Sequence, residues 1–295
     1  MTTLFGNVQG RTCLECGKFF CTRKGGVKKE METMKEVETG KEELVREEAV
    51  AFQIEQNAFA GILRVFEKID DASVLFTASK RALRLFANNG VVMAMAYINA
   101  GHFRKYSLSR EHPFALNMSD LKAVFALTDK DDLVHFAKKN EAIIATSDDG
   151  FSMEFEITPG GKTVEVPEID FPENLGGTIN TRELYSVVKY AKEVAADFLK
   201  IQVEGNHLNL TFKRGKTLVE KSIPFSMSKF EGSPVGIYPT EDLYKILNGL
   251  AKAGDDVILL RMKNEDTPLK ISFRKTLSGD RTIRGYALVA PMVKA

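Results

Sequence analysis

Apolar and polar positions along the chain follow two rhythms. From residue 51 onward, short runs with a period of two alternate with stretches of period 3.6, the signatures of strands and amphipathic helices. Residues 51–55 (AFQIE) read as a short strand. Phe59, Ile62, Leu63, Phe66 and Ile69 then share one face of a helix, with Asn57 placed as its N-cap. Strand patterns follow at 73–77, 82–87 and 91–98. Ser119 is placed to cap a second helix, DLKAVFAL, and strands at 132–136, 142–147 and 151–157 close this half.

The second half repeats the first. FALNMSDLKAVFALTDKDDLVHFAKKNE (114–141) and VGIYPTEDLYKILNGLAKAGDDVILLRMKNE (235–265) share alternating apolar residues, an Asp-Leu pair and a helical face. Both then continue through Asp-Asp to Lys-Asn-Glu at an identical interval. The helix pattern at 181–195 and the strand at 198–203 likewise echo the Asn57 helix and its following strand. The period exceeds the 20–50 residues of a solenoid, so the pattern predicts a duplicated domain.

Two segments break the rhythm. Residues 1–50 carry 9 basic and 9 acidic side chains, with no aromatic residue from 23 to 48, and are expected to form a mobile arm or a solvated helix. Residues 158–177 hold three prolines and four glycines around Val-Glu-Val-Pro-Glu-Ile-Asp-Phe, the composition of a surface connector. Its Val164, Val166, Ile169 and Phe171 are apolar, so part of it is expected to lie against a domain. The resulting division is an extension (1–50), domain 1 (51–162), connector (163–177) and domain 2 (178–295).

Composition narrows the function classes. Lys and Arg number 41 against 40 Asp and Glu, so bulk charge does not drive nucleic-acid coating. No apolar run has the length of a membrane span, and the N-terminus lacks a signal-peptide core. The three cysteines all fall within 13–21, leaving the body of the chain without a disulfide framework. A soluble protein of a reducing compartment is expected.

Chemistry-bearing motifs are few. Gly160-Gly161-Lys162-Thr163 has the tail of a phosphate loop but neither its first glycine nor a following helix. His102, His112, His135 and His207 share no ligand spacing, and the acid pairs at 131–132, 148–149 and 255–256 sit at expected turns. No nucleophile elbow or HExxH occurs, so the chain is not expected to be an enzyme. Cys13-x2-Cys16-x4-Cys21 matches a zinc half-site lacking a fourth ligand; a redox cluster and a loose tail are the alternatives. The four helix patterns carry Arg64, Lys68, Lys122, Arg182, Lys189, Lys192, Lys245 and Lys252 against six acids. If these helices line one surface, sequence-independent attraction to phosphates follows.

The ordered pieces resemble a sliding clamp of the PCNA (proliferating cell nuclear antigen) type. They are Phe86-Ala87-Asn88-Asn89-Gly90-Val91 before a long strand, Phe103-x-x-Tyr106, the 120–127 helix with Asp131-Asp132, and the 164–172 connector. Pro268-Leu269 and the terminal Gly285-Tyr286-Ala287-Leu288-Val289-Ala290-Pro291 complete them. The resemblance runs from about residue 51 to the end; the first 50 residues have no counterpart in it. It implies an α+β DNA clamp fold: two similar domains with inner helices and outer antiparallel sheets, forming a ring with other subunits. Three chains would close head to tail, with strands at 151–157 and 218–225 pairing between subunits. The implied function is a processivity factor that encircles duplex DNA and binds polymerase, clamp loader and other clamp-binding peptides. The implied peptide pocket comprises Phe86, Val91, Val166, Ile169, Phe171, Pro268, Tyr286, Ala290 and Pro291. The implied DNA-facing residues are the eight helix cations. Apart from zinc at the cysteines, no cofactor is expected. Alternative readings are a checkpoint-type or heterotrimeric clamp subunit, a zinc-dependent DNA-binding regulator, and an enzyme using the 160–163 turn.

Overall fold

The computed structural model describes residues 50–109, 112–139, 141–157, 176–229, 234–254, 256–279 and 281–292. Among them the chain runs four times through a strand, a helix and three strands. The first unit is β1 (Val50–Glu55), α1 (Gln56–Glu67), β2 (Ser73–Ser79), β3 (Ala82–Asn88) and β4 (Val92–Asn99), followed by a short β5 (Lys105–Leu108). The second is β6 (His112–Asn117), α2 (Met118–Leu127), β7 (Leu133–Lys139), β8 (Ala142–Ser147) and β9 (Ser152–Glu156). The third is β10 (Gly176–Asn180), α3 (Thr181–Glu193), β11 (Phe198–Glu204), β12 (His207–Arg214) and β13 (Thr217–Pro224), with a short β14 (Ser226–Lys229). The fourth is β15 (Val235–Pro239), α4 (Thr240–Ala253), β16 (Val257–Arg261), β17 (Leu269–Thr276) and β18 (Thr282–Val289). The fourfold repeat is finer than the twofold one expected from sequence.

Within each half, the two units exchange their first strands. β1 pairs with β7 and β6 with β2; β10 pairs with β16 and β15 with β11. The same exchange supplies the first backbone donor of every helix with an acceptor. Gln56 N–H bonds the Asp132 carbonyl at 3.0 Å, Met118 that of Ala72 at 2.9 Å, Thr181 that of Asp256 at 2.9 Å, and Thr240 that of Asp197 at 3.0 Å. Each acceptor lies in the loop after the partner unit's helix. This corrects two expected caps. Asn57 and Ser119 lie inside the first turns; the N-caps are Glu55 and Asn117, neither with a side-chain cap bond. A side-chain cap is needed only where orphan donors lack other partners. Asn180 does cap α3, accepting from the N–H groups of Arg182 and Glu183.

The strands form three antiparallel sheets: β5-β1-β7-β8-β9, β13-β12-β11-β15, and a nine-stranded β14-β10-β16-β17-β18-β4-β3-β2-β6. The last one spans both halves through β4 and β18, paired from Val92↔Val289 to Ile98↔Ile283. The helices lie side by side in the order α2, α1, α4, α3. At the α1–α4 crossing the backbones nearly touch: a Cβ on Gly61 would stand 3.7 Å from Ala253, and one on Gly249 only 2.9 Å from the Val65 Cα. The core fills the space between helices and sheets. Phe59 of α1 makes edge contacts with Phe52, Phe76, Phe125 and Phe136.

Candidate nucleic-acid interface and partner surface

The helix layer brings the eight predicted cations to one set of neighbouring elements, most of them in ion pairs. On α1, Arg64 is exposed and donates to the Lys252 carbonyl of α4 at 2.9 Å. Glu67 receives Lys68 at 3.3 Å and Lys122 of α2 at 3.0 Å. Burial would raise the Glu67 pKa, but the Lys122 hydrogen bond and the two ammonium charges outweigh it and hold the carboxyl below its ordinary range. Lys189 meets Glu193 at 3.7 Å on α3, and Arg182 lies 3.9 Å from Asp256. Lys192 reaches Glu241 of α4 at 3.0 Å and sits 3.9 Å above the Tyr244 ring. Asp242, in the first turn of α4, is pushed above its ordinary pKa by burial, with Lys245 pulling the other way. These pairs are largely exposed, so each is worth about 0–1 kcal/mol and exchanges readily for a phosphate. A cleft of about 400 Å³ separates α1 from α2, lined by Leu63, Arg64, Leu121, Lys122 and Phe125.

The opposite face of the nine-stranded sheet carries a second feature. Strand register sets Leu75, Phe86, Met95 and Tyr286 in one row across β2, β3, β4 and β18. Phe86, Met93 and Leu288 form a small buried cluster, with Leu75 and Tyr286 packed against it, separate from the main core. Of the predicted pocket, Phe86 and Tyr286 therefore come together. Ala290 lies just past β18, with its N–H on the Val91 carbonyl at 3.0 Å, and half-buried Pro268 precedes β17 at the same end of the sheet. Pro291 is buried beside Ala290. Val91 departs from expectation: its side chain packs on the main core instead of flooring the cluster. Leu75, Met93 and Leu288 were not foreseen. Period-two spacing within 73–79, 92–99 and 282–289 holds their signal, but only strand pairing tells which parity faces outward.

Along this face runs a groove of about 490 Å³ lined by Met95, Tyr97, Leu259, Tyr286, Arg274 and Arg284, among others. Lys270 stands 4.5 Å over the Tyr286 ring; its pKa is lowered by burial and by the neighbouring Arg261 charge. None of the nine strands of this sheet contains an Asp or Glu.

The two strands expected to pair between subunits, β9 and β13, each form an edge of their sheet. The acid pairs at 131–132 and 148–149 lie at turns: Asp132 accepts the Asp129 N–H at 2.7 Å, and Asp149 accepts the Ser147 hydroxyl and the Phe151 N–H. Among the described residues no group of three or more His, Cys, Asp or Glu could hold a metal ion. No described helix is long and apolar enough to cross a membrane. Cys13, Cys16 and Cys21, the 160–163 turn, and the connector residues Val166, Ile169 and Phe171 lie outside the described residues.

No protein-family model and no curated protein sequence matches the chain. Solved structures do. PCNA from Entamoeba histolytica superposes with a TM-score of 0.71 at 15% identity, over 83% of this chain and 100% of that one. PCNA from Thermococcus kodakaraensis gives 0.68 at 18% identity, over 82% and 100%. A. fulgidus PCNA, bound to the C-terminal region of FEN-1, gives 0.70 at 13% identity, over 83% and 99%. Four strand–helix–strand units, a shared central sheet and a single helix layer are thus an arrangement held in common with these proteins: the chain has the PCNA-type sliding-clamp fold.

Proposed function

We propose that the chain is a DNA sliding clamp, a non-enzymatic processivity factor that closes with other subunits into a trimeric ring around duplex DNA. One observation carries this reading. Its four helices lie side by side with cations along them, while β9 and β13 each form an edge of their sheet among the described residues. Exposed, exchangeable ion pairs on the helices suit contact with phosphates of any sequence, which allows sliding. The outer cluster around Phe86, Met93 and Leu288, with its apolar surroundings, suits the docking of short peptide segments from polymerases, clamp loaders and other replication and repair proteins. The A. fulgidus clamp, bound to the C-terminal region of FEN-1, supports that use of the fold.

The test is topological. Loaded on a primed circular template, the protein should stay bound through a high-salt wash and extend the run length of a polymerase. Linearising the circle should release it. Release at equal rates from circles and linear DNA would sink the reading.

A further inference from the structure

The outer face of the nine-stranded sheet is basic in a pattern that costs the sheet stability. Strand register sets Arg84, Tyr97, Arg284 and Arg274 in one row across β3, β4, β18 and β17. Two residues along the strands, Phe86, Met95, Tyr286, Ser272 and Leu259 make a middle row. Two residues further, Leu288, Lys270 and Arg261 make a third. The groove of this face is lined from all three rows, with cations on both sides of a largely apolar floor. Outward residues of a strand are about 6.8 Å apart, so the outer two rows stand about 14 Å from each other.

Two like-charged pairs face each other directly in this arrangement, Arg284 with Arg274 and Arg261 with Lys270. Such pairs destabilise an antiparallel sheet. Among the described residues, none of Arg84, Arg261, Arg274 and Arg284 has a carboxylate partner to offset the repulsion. No lining residue of the groove is an acid, and Asp256, beside Val257, is turned to Arg182. The guanidinium groups therefore stand ready for an anion from outside, and their planar forks match carboxylates. A single nucleic-acid strand would need open aromatic faces on which to stack its bases. Lys270 covers the Tyr286 ring at 4.5 Å, which leaves Tyr97 alone exposed among the described aromatic rings of the groove. The rows also continue into the Phe86–Met93–Leu288 cluster, so apolar seat and positive charge adjoin. An extended peptide sends alternate side chains to opposite sides, which suits a groove with cations on each.

We propose that this groove takes the acidic flank of a partner peptide whose apolar anchor sits on the adjoining cluster. Carboxylates of the flank meet Arg274 and Arg284 on one side and Lys270 and Arg261 on the other, replacing repulsion within the sheet by charge-assisted hydrogen bonds. This rests on the reading of the cluster as a peptide site and adds the charge of the peptide that it selects.

Two synthetic peptides test it. Both carry the same apolar and aromatic helical turn; one is flanked on each side by three glutamates, its twin by three glutamines. In calorimetry at low salt the wild-type chain should bind the glutamate peptide about tenfold more tightly, a lead that salt diminishes. Arg274→Gln with Arg284→Gln should erase most of that lead, leave the affinity for the glutamine peptide unchanged, and melt no lower than wild type, since the repulsion is gone. Arg261→Gln with Lys270→Gln should reduce the lead from the other side, so misfolding of one double variant leaves the other to decide. Leu288→Ala should weaken both peptides alike. Equal affinity of the wild-type chain for the two peptides would overturn the inference and leave the cluster as a peptide site. Binding of neither would remove both readings. A lead that survives both double variants would seat the acids elsewhere and overturn the groove as their site. A labelled single-stranded oligonucleotide that binds more tightly than the glutamate peptide, and is lost on the double variants, would give the groove to nucleic acid instead. A photo-crosslinker in place of Tyr97 that is captured by residues 1–49 of this chain would mean that the groove is filled from within, which also overturns the proposal.

Discussion

Glu55 closes β1 in the first half, yet its carboxylate is held by the β17–β18 hairpin of the second. It accepts from the Ser278 N–H at 3.0 Å and from the Ser278 hydroxyl, and pairs with Arg281 at 2.6 Å. Arg281 also donates to the His102 carbonyl at 3.0 Å, and the His102 ring meets the backbone of Thr282. These contacts tie the two halves together in addition to the α1–α4 crossing. Burial would raise the Glu55 pKa, but the Ser278 bonds and the Arg281 and Arg104 charges outweigh it and hold it below the ordinary 4.5. A carboxyl with a depressed folded-state pKa contributes stability that is fully present above its unfolded value and is lost as pH falls through the folded one. Glu55→Gln is therefore expected to lower unfolding stability at neutral pH by about 1–3 kcal/mol, the cost of a broken, partly buried charged network. The difference from wild type should shrink as urea melts are repeated below pH 4.5. A gap that is constant down to about pH 3, well below the unfolded value, would mean that the charge of Glu55 is not what the hairpin uses.

At the scale of elements, the helices and most strands of the first half are legible in hydrophobic period, because each buries one face against a common core. The caps are not. Asn57 and Ser119 have the right chemistry, but Asp132 and Ala72, more than ten residues away along the chain, already accept the first helical N–H groups. The repeat is legible in 114–141 and 235–265, where side chains match, whereas the exchange of first strands is a property of pairing and leaves no local mark. The outer cluster is half legible for a similar reason. Phe86 and Tyr286 stand out as aromatics near turns or the terminus, while Met93 and Leu288 are hidden in runs that read as buried on both faces. This gives the cluster a direct test. Leu288→Ala removes side-chain volume from the centre of a patch of only five residues. It should weaken binding of a clamp-binding peptide at least tenfold in calorimetry, about 1.4 kcal/mol, since central apolar anchors dominate such contacts. Leu288 is as buried as Leu260 of the main core, so Ala at either position should lower the melting temperature, and only Leu288→Ala should also weaken the peptide. Equal peptide affinity in wild type and variant would move the peptide site off this cluster.

For the whole molecule, a net charge of +1 conceals an uneven distribution. The nine-stranded sheet has no acid in any strand, the β8–β9 end no base, and the helix layer mixes both signs in exposed pairs. Counting charges along the chain could show only a slight excess on the helices; their arrangement as neighbours comes from the fold. A ring that must slide needs attraction to phosphates without tight grip, and cations already paired with Glu193 or Glu241 supply it, since a phosphate replaces one weak partner by another. Replacing Lys189 and Lys192 with Glu should therefore act on DNA and hardly on the fold. Binding to short duplexes should weaken at every sequence alike. The slope of log affinity against log salt should become shallower by about 0.9 for each phosphate that the variant no longer neutralises. Thermal melting and solution mass should stay near wild type, because the intrachain pairs removed are worth at most about 1 kcal/mol each. The Lys192 contact with Tyr244 adds a control: Tyr244→Leu removes the ring beneath the ammonium without touching charge, so it should leave the salt slope unchanged. If the double charge reversal leaves both affinity and slope as they were, α3 does not face the duplex, and the side of the layer that meets DNA must be sought along α1 and α2.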